Sequence, residues 1–547
     1  MMATPVADGG IGRASAFLAS GTVVSRILGF VKAIVLASTI GALGVSADMF
    51  AVANQLPNTI YVIVAGGVLS AVLVPQIVRA SLHADGGSGY INKLVTLALV
   101  ILAAATVVAV LLTAPITHLY SIGISDDKRA LATAFAYWCL PQIFFYGLYT
   151  VLGEILNARR AFGPFTWAPV LNNVVAILGL VAFVILFGSD PTGHRAISSW
   201  TPGMIALLAG SATLGVVAQS TVLFLFWRRV GLRYRPDFRW RGVGLGSAGR
   251  MAGWTFGMLL LTTFAGIVET NVVILATSPE ARDASVGALN NAWLIFMLPH
   301  SVIAVSIATA YFTRMAEHAA HDRLADLRTD ISASIRGISL IIVLAAGVLI
   351  VCAYPFAAVF VNNDFTQTAA LGTVIICYLF GLVPFCILFV VQRSFYALGD
   401  TRTPFFFTLF QTVLVSVLVL ICMSLPSALI TPGVALSVSI AGTAQLLLAA
   451  FLLRRRLDGI DSVRIAASLA RYAAASIIPI GLGILLLVLL GGTREGGFAV
   501  SGRPQAIVSM IVIGAVMAVT YFGALWVLKA PELRTFAEPV VARLRRR

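Results

Sequence analysis

The sequence predicts an all-α integral membrane protein of about fourteen transmembrane helices, built as two six-helix pseudo-symmetric lobes with two C-terminal helices added. Three observations carry this reading. Of the 547 residues, 59% are hydrophobic and only 11% charged, whereas a soluble globule carries about a quarter. Apolar stretches of about twenty residues recur from end to end, each long enough to cross a hydrocarbon core of about 30 Å as a helix. Polar landmarks repeat at a shared spacing, which divides the chain into comparable halves.

In chain order the stretches fall near 15–41, 48–78, 92–114, 130–156, 163–187, 202–227, 250–277, 287–313, 337–361, 367–392, 404–424, 430–453, 466–490 and 505–528. The first is too long and too polar for a cleaved signal peptide. Leu56-Pro57-Asn58 in the second is answered by Leu298-Pro299-His300 in the eighth, 242 positions later. Leu156 to Phe165, between the fourth and fifth, is answered by Tyr396 to Phe405, 240 positions later. These offsets give an N-lobe over 1–230, a C-lobe over 231–456, and 457–547 for two extra helices and a basic tail. Six is even, so the lobes share one orientation and are expected to be related by an axis along the membrane normal. Pro57, Pro75, Pro141, Pro169, Pro299 and Pro384 lie within spans. Each removes a helical hydrogen bond, which a membrane helix tolerates where neighbours or a watery cavity satisfy the freed carbonyl. As a set they fit a transporter that rocks.

Charge orients the chain. Lys128, Arg129, Arg195, Arg282, Arg494 and Arg503 fall on one side and Arg26 and Lys32 within a span; every other one of the 37 Lys and Arg residues falls on the side of the termini. The positive-inside rule then makes both termini cytoplasmic. The net charge of +15 is mostly this topology signal. Its clusters flank helix ends, so membrane phospholipids are the expected contact and nucleic acid is not. The five cysteines lie in apolar spans without metal-ligand spacing and read as packing residues. No nucleophile motif or phosphate loop supports an enzyme, and no bound cofactor or metal is expected.

Arg26 and Lys32 lie within the first span, in SRILGFVK. An uncompensated basic side chain at mid-bilayer costs about 3 kcal/mol on insertion scales, so keeping two there points to an anionic substrate. The competing reading is a structural or snorkelling cation. Asp48 restrains one of these cations when the site is empty, or is simply an acid in a first helical turn where the dipole favours it. Asn54, Gln55 and Asn58 follow, either lining a cavity or bonding between helices. Glu269 sits mid-span beside Thr270 and Asn271; that group is a candidate for ion coupling, with structural pairing as the alternative. Glu154 precedes Arg159 and Arg160 and is expected in an interfacial salt bridge.

The run SRILGFVK, ADMFAVANQLPN at Ala47 to Asn58, Val74-Pro75 and FYALGDTRTP at Phe395 to Pro404 resemble the MviN/MurJ lipid II flippases, with similarity in pattern across all fourteen spans. The resemblance implies a flippase of the multidrug/oligosaccharidyl-lipid/polysaccharide exporter superfamily, in a bacterial cytoplasmic membrane. It would carry the undecaprenyl-pyrophosphate-linked peptidoglycan precursor outward by alternating access, for cell-wall synthesis. The family pattern is matched by basic residues at Arg26 and Lys32 and an acid at Asp48. It is not matched at Tyr61 and Val62, where the family has a basic pair, at Gly66, where it has Glu, or near Trp293 and Leu294, where it has arginine. A divergent branch is implied, and the alanine- and arginine-rich composition suggests an actinobacterial one. The resemblance further implies a groove for the polyprenyl tail along the last two spans. Sodium, protons or the membrane potential are the implied driving forces, and cell-wall synthesis proteins are partner candidates. The alternatives are a carrier of another polyprenyl-linked polysaccharide and a cation-coupled multidrug exporter. The exporter would favour an acidic cavity and twelve spans.

Overall fold

The computed structural model describes residues 8–65, 88–159, 161–227, 234–239, 249–277, 283–361 and 364–533. Among them the chain is helical and contains no strand. Among the described residues, thirteen helices or helix pairs are long and apolar enough to cross a membrane. They match every predicted span except the second. Its first part is helical, while the rest, with Gly66, Gly67, Pro75 and much of the inter-lobe basic segment, lies outside the described residues.

The first part of the chain comprises α1 (Asp8–Ile40), α2 (Val45–Val64), α3 (Ser88–Leu111), the short α4 (Thr113–Leu119), α5 (Asp126–Cys139), α6 (Gln142–Ala158), α7 (Phe162–Phe187), α8 (Pro202–Thr221) and α9 (Leu223–Trp227). Then come α10 (Gly249–Val273), α11 (Val286–Pro299), a π-helical turn over His300–Ala304, α12 (Val305–Ala320), α13 (Leu324–Val351), α14 (Ala353–Phe360), α15 (Phe365–Leu379), α16 (Leu382–Ala397), α17 (Arg402–Cys422) and α18 (Ser427–Arg456). Helices α19 (Ser462–Leu489) and α20 (Arg503–Val527) complete the chain. The π turn follows Pro299, whose missing N–H interrupts the regular ladder.

The chain forms two compact units. The first holds residues 1–41, 45–190 and 195–263; the second holds 42–44, 191–194 and 264–547, so the division falls within α10. In the first unit α7 packs most extensively on α8 and α1, α2 packs on α5 and α6, and α3 packs on α6. In the second, α18 is surrounded by α15, α16 and α17, while α13 packs against α12, α16 and α19.

The helix boundaries repeat more sharply than the sequence does. α3 ends at Leu111 and α13 at Val351; α4 begins at Thr113 and α14 at Ala353; α5 and α15 end at Cys139 and Leu379; α6 and α16 begin at Gln142 and Leu382. Each pair is 240 positions apart. The fourth and tenth spans are thus both broken, at Leu140-Pro141 and at Phe380-Gly381, and both breaks are repaired by a hydroxyl on a neighbouring helix. Thr213 Oγ1 of α8 donates to the Trp138 carbonyl at 2.7 Å. Ser439 Oγ of α18 reaches the Cys377 and Tyr378 carbonyls at 2.8 and 3.0 Å. Hydrocarbon offers nothing to a freed carbonyl, so these bonds are what permit the breaks.

Gly381 lets α18 come that close: a Cβ there would meet Ser439 Cα at 3.0 Å. Gly381→Ala is expected to displace Ser439 from both carbonyls and to cost about 1–3 kcal/mol, the usual range for overpacking. The check is the thermal unfolding midpoint in detergent, which falls for Gly381→Ala; an unchanged midpoint would show that the interface yields freely.

One sequence expectation is corrected, and another falls partly on residues outside those described. The ninth span begins at Leu324 rather than 337, because the helix runs on through a polar segment and carries Arg336 inward. Glu154 forms no ion pair among the described residues. Arg159 caps the end of α6 five positions on, about 140° around the helix, and Arg160 lies outside the described residues. The cysteines are free as expected, and four of the five are buried. The described part of the inter-lobe segment is strapped to α3: the Arg235 N–H donates to Asn92 Oδ1 at 3.2 Å and the Asp237 N–H to Thr96 Oγ1 at 3.0 Å.

Candidate substrate-binding site

Within the first unit, α1, α2, α6, α7 and α8 enclose a cavity of about 70 Å³. Its polar lining is Lys32, Asn54, Gln142, Tyr146, Asn172 and Ser211. There is room in it for waters or for one small charged group. The residues lining it include no Asp or Glu. Lys32 has neither a hydrogen bond nor an ion pair among the described residues. The Lys32 ammonium, on a partly exposed residue, faces only neutral dipoles in this lining, so a negative group arriving there would offset the cost of its desolvation.

The surrounding bonds fix the lining in place. Gln142 begins α6 immediately after the break, and its Nε2 donates to Thr213 Oγ1 at 2.9 Å. The Tyr146 hydroxyl donates to Gln142 Oε1 at 3.2 Å. Asn172 Nδ2 donates to Gln219 Oε1 at 2.8 Å, in a place where α7 and α8 nearly touch: a Cβ on Gly215 would meet the Asn172 carbonyl oxygen at 2.8 Å. Asn173 Nδ2 donates to the Ser25 carbonyl at 3.0 Å and so sets the register of α1, which carries both cations. Two amides in succession inside an apolar span, Asn172-Asn173, are the signal that could have found this anchor.

Of the residues singled out from sequence, Lys32 and Asn54 meet at this cavity and the others do not. Arg26 lies six positions before Lys32, about 120° away around α1, and is exposed; it too has no ion pair among the described residues. Asp48 is wholly buried in the first turn of α2, Asn58 is exposed and Gln55 partly so. Glu269 belongs to the second unit. Beside it, Thr270 Oγ1 donates to the Gly266 carbonyl at 2.7 Å and Asn271 Nδ2 to the Ile267 carbonyl at 2.9 Å, so each makes a bond to its own helix. Among the described residues no cluster of three His, Cys, Asp or Glu could hold a metal ion.

An all-helical, multi-pass membrane protein whose helix pattern is repeated 240 residues on, with a cation lining a polar cavity inside one unit, has the architecture of a transporter. Residues 36–497 match the family model for the lipid II flippase MurJ, and the chain belongs to that family, whose members are transporters rather than enzymes. The chain is 23% identical to a probable lipid II flippase MurJ of Borreliella burgdorferi, over 72% of its own length and 74% of that protein's. In fold it is similar to a solved lipid II flippase MurJ in an inward closed conformation, with a TM-score of 0.69 at 18% identity, covering 93% of this chain and 99% of that one. It is also similar in fold to an inward-facing multidrug resistance transporter of the MATE family and MOP superfamily, with a TM-score of 0.58 at 18% identity over 80% of this chain and 96% of that one. The family match begins near the end of the first predicted span, after Arg26 and Lys32, and takes in the second to the thirteenth.

Proposed function

We propose that this chain carries lipid II from the cytoplasmic to the outer leaflet of the bacterial cytoplasmic membrane by alternating access, with both termini in the cytoplasm. The observation that supports this reading best is the Lys32 cavity, an ammonium among neutral amides and hydroxyls with no anion of its own. Crossing hydrocarbon unaided would strip the pyrophosphate and the many hydroxyls and amides of the headgroup of water, at several kcal/mol each. Lys32 supplies a compact point charge for the pyrophosphate, Arg26 a planar fork for two of its oxygens, and Asn54 a neutral hydrogen-bonding group. Gln55 and Asn58 extend the polar face of α2, while Asp48, expected to hold one of the cations in the empty site, pairs with neither among the described residues. The polyprenyl tail stays in the bilayer along α19 and α20. A sodium or proton gradient, or the membrane potential, drives the cycle; one elementary charge crossing 100 mV is worth about 2.3 kcal/mol.

The test is complementation of a flippase-depleted bacterium, scored by growth and by the lipid II accessible from outside the cell. Restored growth with restored outer-leaflet lipid II is the expected result. Growth without accessible lipid II, or no growth at normal expression, overturns the assignment. Restored display of another polyprenyl-linked glycan would make this chain a carrier of that glycan instead.

A further inference from the structure

The second unit holds a cation of its own, one turn before the end of α16. The guanidinium carbon of Arg393 sits over the Phe389 ring at 4.7 Å, one turn back on the same helix, and over the Phe312 ring of α12 at 5.1 Å. Arg393 is partly buried and makes no hydrogen bond or ion pair to any described residue. Other arginines of this unit that lie over rings differ: Arg314, over Tyr311, is paired with Asp330 at 2.8 Å, and Arg455 is exposed over Phe451 of its own helix. The repeat calls for no charge here, because the position 240 residues earlier is Gly153, which has Phe165 packed against it. A snorkelling arginine would extend toward the helix end. Phe389 instead draws this one back by a turn, and Phe312 fixes it from the neighbouring helix.

Ring faces offset part of the cost of desolvating a guanidinium but accept none of its hydrogen bonds in the ordinary sense, so its N–H donors remain unspent. Tyr396, three positions on and therefore a neighbour on the helix surface, accepts from Gln392 Nε2 at 2.9 Å, which leaves its own hydroxyl proton to donate. Both helices leave their apolar stretches here, near 392 and 313, so these donors stand at the depth of lipid headgroups. A carboxylate is filled by the guanidinium fork alone, whereas a tetrahedral phosphate keeps an oxygen for a third donor. We propose that Arg393 and Tyr396 bind the phosphate of a lipid headgroup, in a site that belongs to the second unit alone. An anionic phospholipid of the adjoining leaflet is the expected occupant; the pyrophosphate of a polyprenyl lipid offers the same oxygens and is the other source. The first source requires nothing of the flippase reading, and the second rests on it.

The experiment measures binding to the purified full chain in detergent, by thermophoresis. Phosphatidylglycerol, the diacylglycerol with the same chains, and undecaprenyl pyrophosphate, each in mixed micelles, are the three probes. The native protein is expected to bind phosphatidylglycerol about tenfold tighter than diacylglycerol, and Arg393→Met to lose that preference. Arg393→Lys should keep only part of it, because an ammonium cannot fork, and Tyr396→Phe should lose about threefold. Arg455→Met removes the same charge from an exposed position and should bind as the native protein does. Methionine still packs on both rings, and melting in detergent checks the fold; should Arg393→Met not fold, Arg393→Lys and Tyr396→Phe decide. Binding of undecaprenyl pyrophosphate that depends on Arg393, without such binding of phosphatidylglycerol, keeps the site and gives it to the carried lipid. Equal losses in Arg393→Met and Arg455→Met, or no loss in either with any probe, overturn the site and leave the flippase reading intact. Failure of the native protein to bind undecaprenyl pyrophosphate counts against the flippase reading, and the phosphatidylglycerol comparison then decides the site alone.

Discussion

Lys32→Met is expected to abolish lipid II flipping and at the same time to raise the unfolding temperature of the protein. The two effects come from one cause. Lys32 lines a small cavity without an anionic partner, so the folded, empty protein bears the desolvation of its ammonium, and an apolar side chain of similar length removes that burden. Transport loses the charge that meets the pyrophosphate; truncating one partner of a buried charge pair costs about 2–5 kcal/mol, or about thirtyfold to several thousandfold. Arg26→Ala is expected to lose transport to a similar degree, with Arg26→Lys restoring only part because an ammonium cannot fork. Lys32→Arg keeps the charge and is expected to remain active. The measurements are outer-leaflet lipid II at matched expression and melting in detergent. A Lys32→Met protein that flips normally removes Lys32 from the mechanism, and one that melts lower than native shows that the ammonium is a structural tie.

Most of the architecture was legible because a membrane span is a composition signal. Twenty apolar residues are visible in any window, and most described spans, the ninth excepted, begin and end close to where hydropathy places them. The repeat was visible in two short landmarks, but the broken fourth and tenth spans were not: Pro141 pointed to one break, whereas the other rests on Gly381 and on Ser439 from a distant helix. The candidate site was half legible. Lys32 and Asn54 stand out because a polar residue in an apolar span is conspicuous. Gln142, Tyr146 and Ser211 do not, since which face of α6 or α8 turns toward α1 is decided by helix packing rather than by any local pattern. Arg336 was misplaced for a similar reason. Hydropathy set it just outside the ninth span, and nothing near it in sequence names its partner 196 residues away.

That partner is Glu532, just past the end of α20, and breaking the pair is expected to produce the largest loss of stability of any single substitution considered. Arg336 and Glu532 form a salt bridge with side chains only 9% and 8% exposed. Ser468 Oγ of α19 donates to the same carboxylate oxygen at 3.3 Å, and Arg336 Nε donates to Ser332 Oγ, whose own hydroxyl donates to Asp461 Oδ2 at 2.8 Å. One buried network therefore pins α13, α19 and the segment after α20 together, and the Tyr521 hydroxyl adds a bond to the Leu340 carbonyl at 2.9 Å. Removing one member strands the other charge, which costs about 3–5 kcal/mol, whereas replacing both by apolar residues is close to neutral. Glu532→Ala should therefore melt well below native, and the double change Arg336→Met with Glu532→Leu should recover most of the difference. Acid should reproduce the single loss. Burial pushes the Glu532 carboxyl up, but hydrogen bonds from its own backbone N–H and from Arg336 outweigh this and hold it below its ordinary value of 4.5. A carboxyl depressed in the folded state stabilises fully above its unfolded value, and that stabilisation disappears as pH falls through the lower folded value. The native melting temperature should accordingly drop as pH is lowered below about 4.5, more steeply than that of the double variant, in which the carboxyl is gone. Identical slopes for the two proteins would mean that α19 and α20 are held to α13 by apolar packing alone.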